Sequence, residues 1–263
     1  MPETDGNSLA GGVRVEIDAR VAVVTIDRPE VRNAIGFATI DELGAALDRV
    51  LESGAAVLVL RGGGDRVFVS GGDLKELNAI RTHEDAVHMA TRVRRILDRV
   101  AAFPVPVVAA LNGHALGGGA EVAIAADIRI AADDVKIGFN QVTLGIMPAW
   151  GGAERLAQAI GRSRALLAIV TGELYDAPTA QRLGLVDIVV PRTRFEEEWR
   201  TLAHRMAAAA PGTTRAVKSV VSAAAPSFHP ELEAGATDAF AQLWTADAHW
   251  VAVDAFEQRR RTG

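Results

Sequence analysis

Two wholly apolar runs, Val57-Leu-Val-Leu60 and Pro106-Val-Val-Ala-Ala-Leu111, each lead into glycine-rich sequence and then into helical periodicity. This repeated unit narrows the possible folds more than any other feature of the chain. A short run with no polar alternation reads as a strand covered on both faces, which is the environment of a parallel sheet. Parallel neighbours need crossover connections, so the recurrence predicts an α/β layer architecture.

The rest of the chain fits that frame. Val13, Val15 and Ile17 alternate with polar residues, and Val21-Ala-Val-Val-Thr-Ile26 follows after three residues, which predicts two strands joined by a tight turn. Ile40, Leu43, Leu47, Val50 and Leu51 have a helical period over 38–53, with Gly54 as its stop. A long amphipathic helix is expected over 84–103 and an apolar one over about 118–126. Short strands are expected at Ile128–Ile130, Lys136–Gly138 and Val186–Val190. Beyond about residue 150 helical periods dominate. The expected organisation is a disordered leader over 1–12, an α/β core over 13–200, and a helical part over 201–263. That last part is expected to pack on the core or on a neighbouring subunit.

The chain has 263 residues and a formal net charge of −5, so no global field draws it to nucleic acid or a membrane surface. It has no cysteine, which excludes disulfides and thiolate chemistry. The start, MPETDGNSLAGG, has neither a basic nor an apolar region, and apolar runs fall short of the ~18 residues of a membrane span. A cytoplasmic protein is the expectation.

Two glycine-rich segments could carry chemistry: Phe68-Val-Ser-Gly-Gly-Asp-Leu-Lys75 and Asn112-Gly-His-Ala-Leu-Gly-Gly-Gly-Ala-Glu121. Each is placed after a buried strand and at the start of a helix. Glycine there admits close backbone approach and leaves N–H groups free for a ligand, or serves only as a packing device; the pattern leaves both open. Two such amides converging on one point would form an oxyanion hole. Neither segment is a P-loop or a dinucleotide fingerprint, and Ser70 is not in a G-x-S-x-G elbow. His83 and His88 are five apart, not the four that a helical zinc motif needs.

These segments, with Asp27-Arg-Pro29, Asn33-Ala34, Leu144-Gly145, Pro148-Ala-Trp-Gly-Gly152, Arg155-Leu156 and Asp254-Ala-Phe-Glu257, resemble the crotonase (enoyl-CoA hydratase/isomerase) superfamily over about residues 13–260. The resemblance implies a spiral of ββα units with a mostly helical C-terminal part, assembled as a homotrimer or a dimer of trimers. It implies an acyl-CoA substrate and no metal or cofactor. By the same resemblance, Gly72 and Gly118 supply the oxyanion amides and Glu121 is the first catalytic glutamate. Gln141 stands where hydratases have a second glutamate, and an amide cannot exchange a full proton. Glu121 with Gln141 and Trp150 is similar to the branch that decarboxylates ethylmalonyl- and methylmalonyl-CoA. The activity that the family resemblance implies is a hydratase-type lyase. The alternatives are a decarboxylase or a catalytically weak acyl-CoA-binding protein. Arg28 and Lys75 are the implied cations for CoA phosphates, with Asp73, Ala149 and Trp150 at the substrate.

Overall fold

The computed structural model describes residues 12–224 and 230–262. Residues 1–11, nearly all of the expected leader, lie outside them. In chain order the strands are β1 (Val13–Asp18), β2 (Val21–Ile26), β3 (Val57–Gly62), β4 (Val67–Val69), β5 (Val107–Leu111), β6 (His114–Leu116), β7 (Ile128–Ala132), β8 (Lys136–Gly138), β9 (Tyr175–Asp176) and β10 (Ile188–Val190). The helices are α1 (Phe37–Glu52), α2 (Leu74–Leu77), α3 (His83–Ala101), α4 (Gly118–Ala125), α5 (Gly152–Ile160), α6 (Arg162–Thr171), α7 (Ala177–Leu183), α8 (Phe195–Ala207), α9 (Thr213–Ala223), α10 (Pro230–Thr245) and α11 (Asp247–Thr262).

The strands form two sheets, ordered β1-β2-β3-β5-β7-β10 and β4-β6-β8-β9. The expected hairpin is the antiparallel pair β1–β2, after which the long sheet is parallel. Its strands β2, β3 and β5 are buried almost throughout, so alternation is absent there. Each turn of the chain gives one strand to the long sheet and the next to the short one before a helix returns. The successive pairs are β3 with β4, β5 with β6, and β7 with β8. This is the spiral of ββα units that the resemblance implies.

Side chains close the loops between the two sheets. Asn33, wholly buried and at φ +55°, donates from Nδ2 to the carbonyls of Gly63 (2.9 Å) and Val67 (2.7 Å). Asn112 accepts from the Gly62 amide (2.9 Å) and donates to the Gly64 carbonyl (2.7 Å). Buried backbone at a sheet-to-sheet crossing has no ladder partner, and two amide side chains satisfy it here. Toward the C-terminus, α10 packs along α3, and α11 against the 3-10 turn Asn140–Leu144. Phe240 and Trp244 are buried, with Trp244 Nε1 donating to the Ile80 carbonyl at 3.2 Å. Among the described residues no helix is long and apolar enough to cross a membrane.

Candidate active site

The site forms where the short sheet ends. β4 pairs in parallel with β6, and β6 with β8, so their C-terminal exits lie side by side. Those exits are Gly71-Gly72, Gly117-Gly118 and the 3-10 turn that carries Gln141. Gly117 turns the chain at φ +55° and ψ −118°, a region open only to glycine, and Gly118 opens α4. The first amides of a helix have no intrahelical acceptor. Neither the Gly72 nor the Gly118 amide donates to a protein group among the described residues. The Trp150 indole lies beside both positions: a methyl group built on Gly118 would sit 2.6 Å from its Cη2, and one on Gly72 3.7 Å from the same atom.

Glu121 lies one turn into α4 with only 2% of its surface exposed. Its Oε2 accepts from the backbone amides of Trp150 (2.7 Å) and Gly152 (2.9 Å). Its Oε1 accepts from Gln141 Nε2 at 3.0 Å. Burial pushes the carboxyl up from the ordinary 4.5 to about 7, against the pull of the Gly152 and Trp150 amides. The charge of nearby Glu154 pushes it further in the same direction, and the Gln141 amide pulls it back. Glu154 is itself partly buried and paired with Arg94 at 2.7 Å. A carboxyl held by three donors yet half-protonated near neutrality can take or give a proton at that pH. Gln141, also buried, presents an amide to Glu121 and leaves its own Oε1 without a hydrogen-bond partner among the described residues.

Five of the expected residues therefore come together: Gly72, Gly118, Glu121, Gln141 and Trp150. Ala149 is buried beside them in the chain. Arg28 is placed differently from a free phosphate-binding cation. Its guanidinium donates to the Ala34 carbonyl (2.7 Å) and Thr39 Oγ1 (3.2 Å), and pairs with Asp73 Oδ2 (3.2 Å). Asp73 also caps α2 through the Lys75 amide. The two residues thus brace the Gly72 turn, while the Lys75 side chain is exposed. Among the described residues no group of acidic or histidine side chains could hold a metal, and His83 pairs with Asp238 at 3.0 Å.

The amides of Trp150 and Gly152 escaped sequence reasoning, because backbone donors carry no residue-type signal. Gly152 offered a clue in retrospect: any side chain there would collide with Glu121. Glu154 and Arg94 gave none.

What sets this structure apart from other parallel α/β proteins is the spiral that feeds successive strands into two sheets and brings the exits of three short-sheet strands side by side. That arrangement is the crotonase fold. Residues 16–262 match the family model described as enoyl-CoA hydratase/isomerase. A short-chain-enoyl-CoA hydratase from Clostridium acetobutylicum is 31% identical over 250 residues, covering 95% of each chain. An enoyl-CoA isomerase/hydratase from Mycosarcoma maydis is 36% identical over 251 residues, covering 90% of each. The crystal structure of a carnitinyl-CoA hydratase from Mycobacterium avium superposes with a TM-score of 0.82 at 30% identity, over 95% of this chain and 97% of that one. The chain belongs to the enoyl-CoA hydratase/isomerase family.

Proposed function

We propose that this protein is a hydratase-type lyase acting on an acyl-CoA thioester, with Glu121 as its single proton-transferring carboxyl. The observation that carries the reading is a buried Glu121, held by Gln141 and the Trp150 and Gly152 amides, in a site where, among the described residues, the Gly72 and Gly118 amides have no protein acceptor. In hydration, the Glu121 carboxylate takes a proton from water as the hydroxide adds to the β-carbon of an enoyl thioester. The displaced electron pair moves onto the thioester oxygen, between the Gly72 and Gly118 amides. Glu121 then returns the proton to the α-carbon, and the enolate collapses to the hydroxyacyl thioester. Each such donor contributes about 3–4 kcal/mol when charge develops on the oxygen. Gln141 orients Glu121 rather than exchanging a proton. The thioester is the electron sink, so this scheme needs no metal or redox cofactor.

A second reading is favoured by Gln141. With one carboxyl instead of two, the same site suits decarboxylation of a 2-carboxyacyl-CoA. Carbon dioxide leaves the α-carbon, the electron pair passes to the thioester oxygen, and protonated Glu121 gives its proton to that carbon. Exposed Lys75 is the cation proposed for CoA phosphates, and Arg28 serves that end of the site by holding Asp73.

Hydration is tested by following the loss of enoyl-thioester absorbance with crotonyl-CoA. The expected outcome is turnover that falls at least about 10²-fold in Glu121→Gln while acyl-CoA binding persists. A wild-type protein that binds crotonyl-CoA without hydrating it, yet releases carbon dioxide from ethylmalonyl-CoA, would shift the assignment to the decarboxylase. Binding with neither reaction would leave an acyl-CoA-binding protein.

A further inference from the structure

The C-terminal helix reaches the site through one buried side chain. His249, in the first turn of α11, has no exposed surface. Its ring lies between Trp244 and Trp250, with centroids 4.5 and 4.6 Å away. Its Nδ1 stands 2.6 Å from the Leu144 carbonyl oxygen. A carbonyl only accepts, so Nδ1 carries the hydrogen, and in the neutral ring Nε2 then holds a lone pair. Nε2 is buried and has no hydrogen-bond partner among the described residues.

Phenylalanine would fill the same aromatic cluster without burying an unpaired nitrogen. Among the described residues, the hydrogen bond that the imidazole makes and a phenyl ring could not is the one to Leu144. That carbonyl closes the 3-10 turn Asn140–Leu144, which carries Gln141. The residues just after it bind back into the turn: the Gly145 amide donates to the Val142 carbonyl (3.0 Å) and the Ile146 amide to the Gln141 carbonyl (3.3 Å). Gly145, in the left-handed conformation, lies against the α11 backbone, where a methyl group would be 3.3 Å from the nitrogen and Cα of His249. From there Gln141 reaches Glu121 at 3.0 Å.

We propose that His249 is a positioning residue, which pins the Asn140–Leu144 turn from the C-terminal helix and so sets the Gln141 amide against Glu121. The catalytic side of this inference rests on the reading of Glu121 and Gln141 given above; the structural side does not. With crotonyl-CoA as probe, His249→Phe is expected to lower kcat about tenfold with KM changed less than about twofold. His249→Asn recovers most of that loss, because its Nδ2–H can stand where Nδ1–H stands. In a Gln141→Ala background the His249→Phe loss shrinks to less than about twofold, since residues that act through one another are not additive. Val251→Ala, exposed on the same helix, leaves the rate unchanged.

The Gln141 side-chain amide is read without turnover in protein labelled with 15N-glutamine, its resonance identified by its disappearance in Gln141→Ala. It is expected to exchange slowly with solvent in the wild type and in His249→Asn, and fast in His249→Phe. An equal kcat loss in both backgrounds, or an amide unchanged by His249→Phe, would overturn the inference while leaving the role of Glu121 intact. Wild-type turnover in Gln141→Ala alone would instead overturn the catalytic reading of Gln141. If crotonyl-CoA is not hydrated at all, the amide measurement decides by itself.

Discussion

Glu121 receives three hydrogen bonds, each of which favours its ionised form, yet its carboxyl is pushed up to about 7 because burial outweighs them. Protonation is thus easier in the folded chain than in the unfolded one. Between pH 4.5 and about 7 the folded state binds the extra proton, so this group makes stability fall as pH rises through that window. The whole effect is about 3 kcal/mol. Urea titrations at pH 5 and pH 8 are expected to show wild type losing most of that amount relative to Glu121→Gln. The same titration separates the two reactions. A base-limited hydration gains rate as pH rises through about 7, whereas a decarboxylation limited by protonated Glu121 loses it. Gly118 yields a second prediction. A methyl group there meets the Trp150 ring, so Gly118→Ala is expected to lose ~10²-fold in kcat through the displaced amide. Gly118→Ala with Trp150→Ala removes the collision, and part of the rate returns.

The elements around the site are held by small devices at their ends. α2 has only four residues and depends on the Asp73 cap, which also holds Arg28. Asp73→Ala removes the cap and leaves a largely buried guanidinium with one partner fewer. It is expected to lower stability by about 1–3 kcal/mol, measured by thermal unfolding. Because Gly72 is the residue before Asp73, a lower affinity for acyl-CoA accompanies the loss. The strands of the long sheet and the helices α1, α3 and α4 were legible from periodicity, whereas β4, β6 and β9 are too short to show one. The expected helix over 38–53 is α1 at Phe37–Glu52, and the apolar run ending at Leu60 is β3. The role of Arg28 was not legible. An arginine at a strand end looks the same whether it faces solvent or three acceptors, and its acceptors lie up to 45 residues away.

At the scale of the whole molecule, the proposed assembly is a homotrimer or a dimer of trimers. Support comes from an uncovered apolar row: Leu166, Leu167 and Val170 on α6 are 54%, 60% and 61% exposed, with Val142 and Leu174 nearby. A single chain in water gains nothing from such a row, whereas a partner surface would bury it. Sedimentation of the wild type is expected to give a trimer or larger. Leu167→Glu with Val170→Glu is expected to shift it toward monomer.

The sequence by itself determined the strands of the long sheet, the glycine turns and the chemical inventory of the site: one carboxyl at 121, an amide at 141, and no thiol. Those follow from local rules of periodicity, chirality and functional-group chemistry, which act over a few residues. Only the tertiary structure decided that burial pushes the Glu121 carboxyl up, that the Trp150 and Gly152 amides hold it, and that Arg28 braces Asp73. It also brought His249 to the turn that carries Gln141. Each of these depends on desolvation or on a bond across 20 to 105 residues of chain, which exists only after the parallel strands have brought their ends to one place.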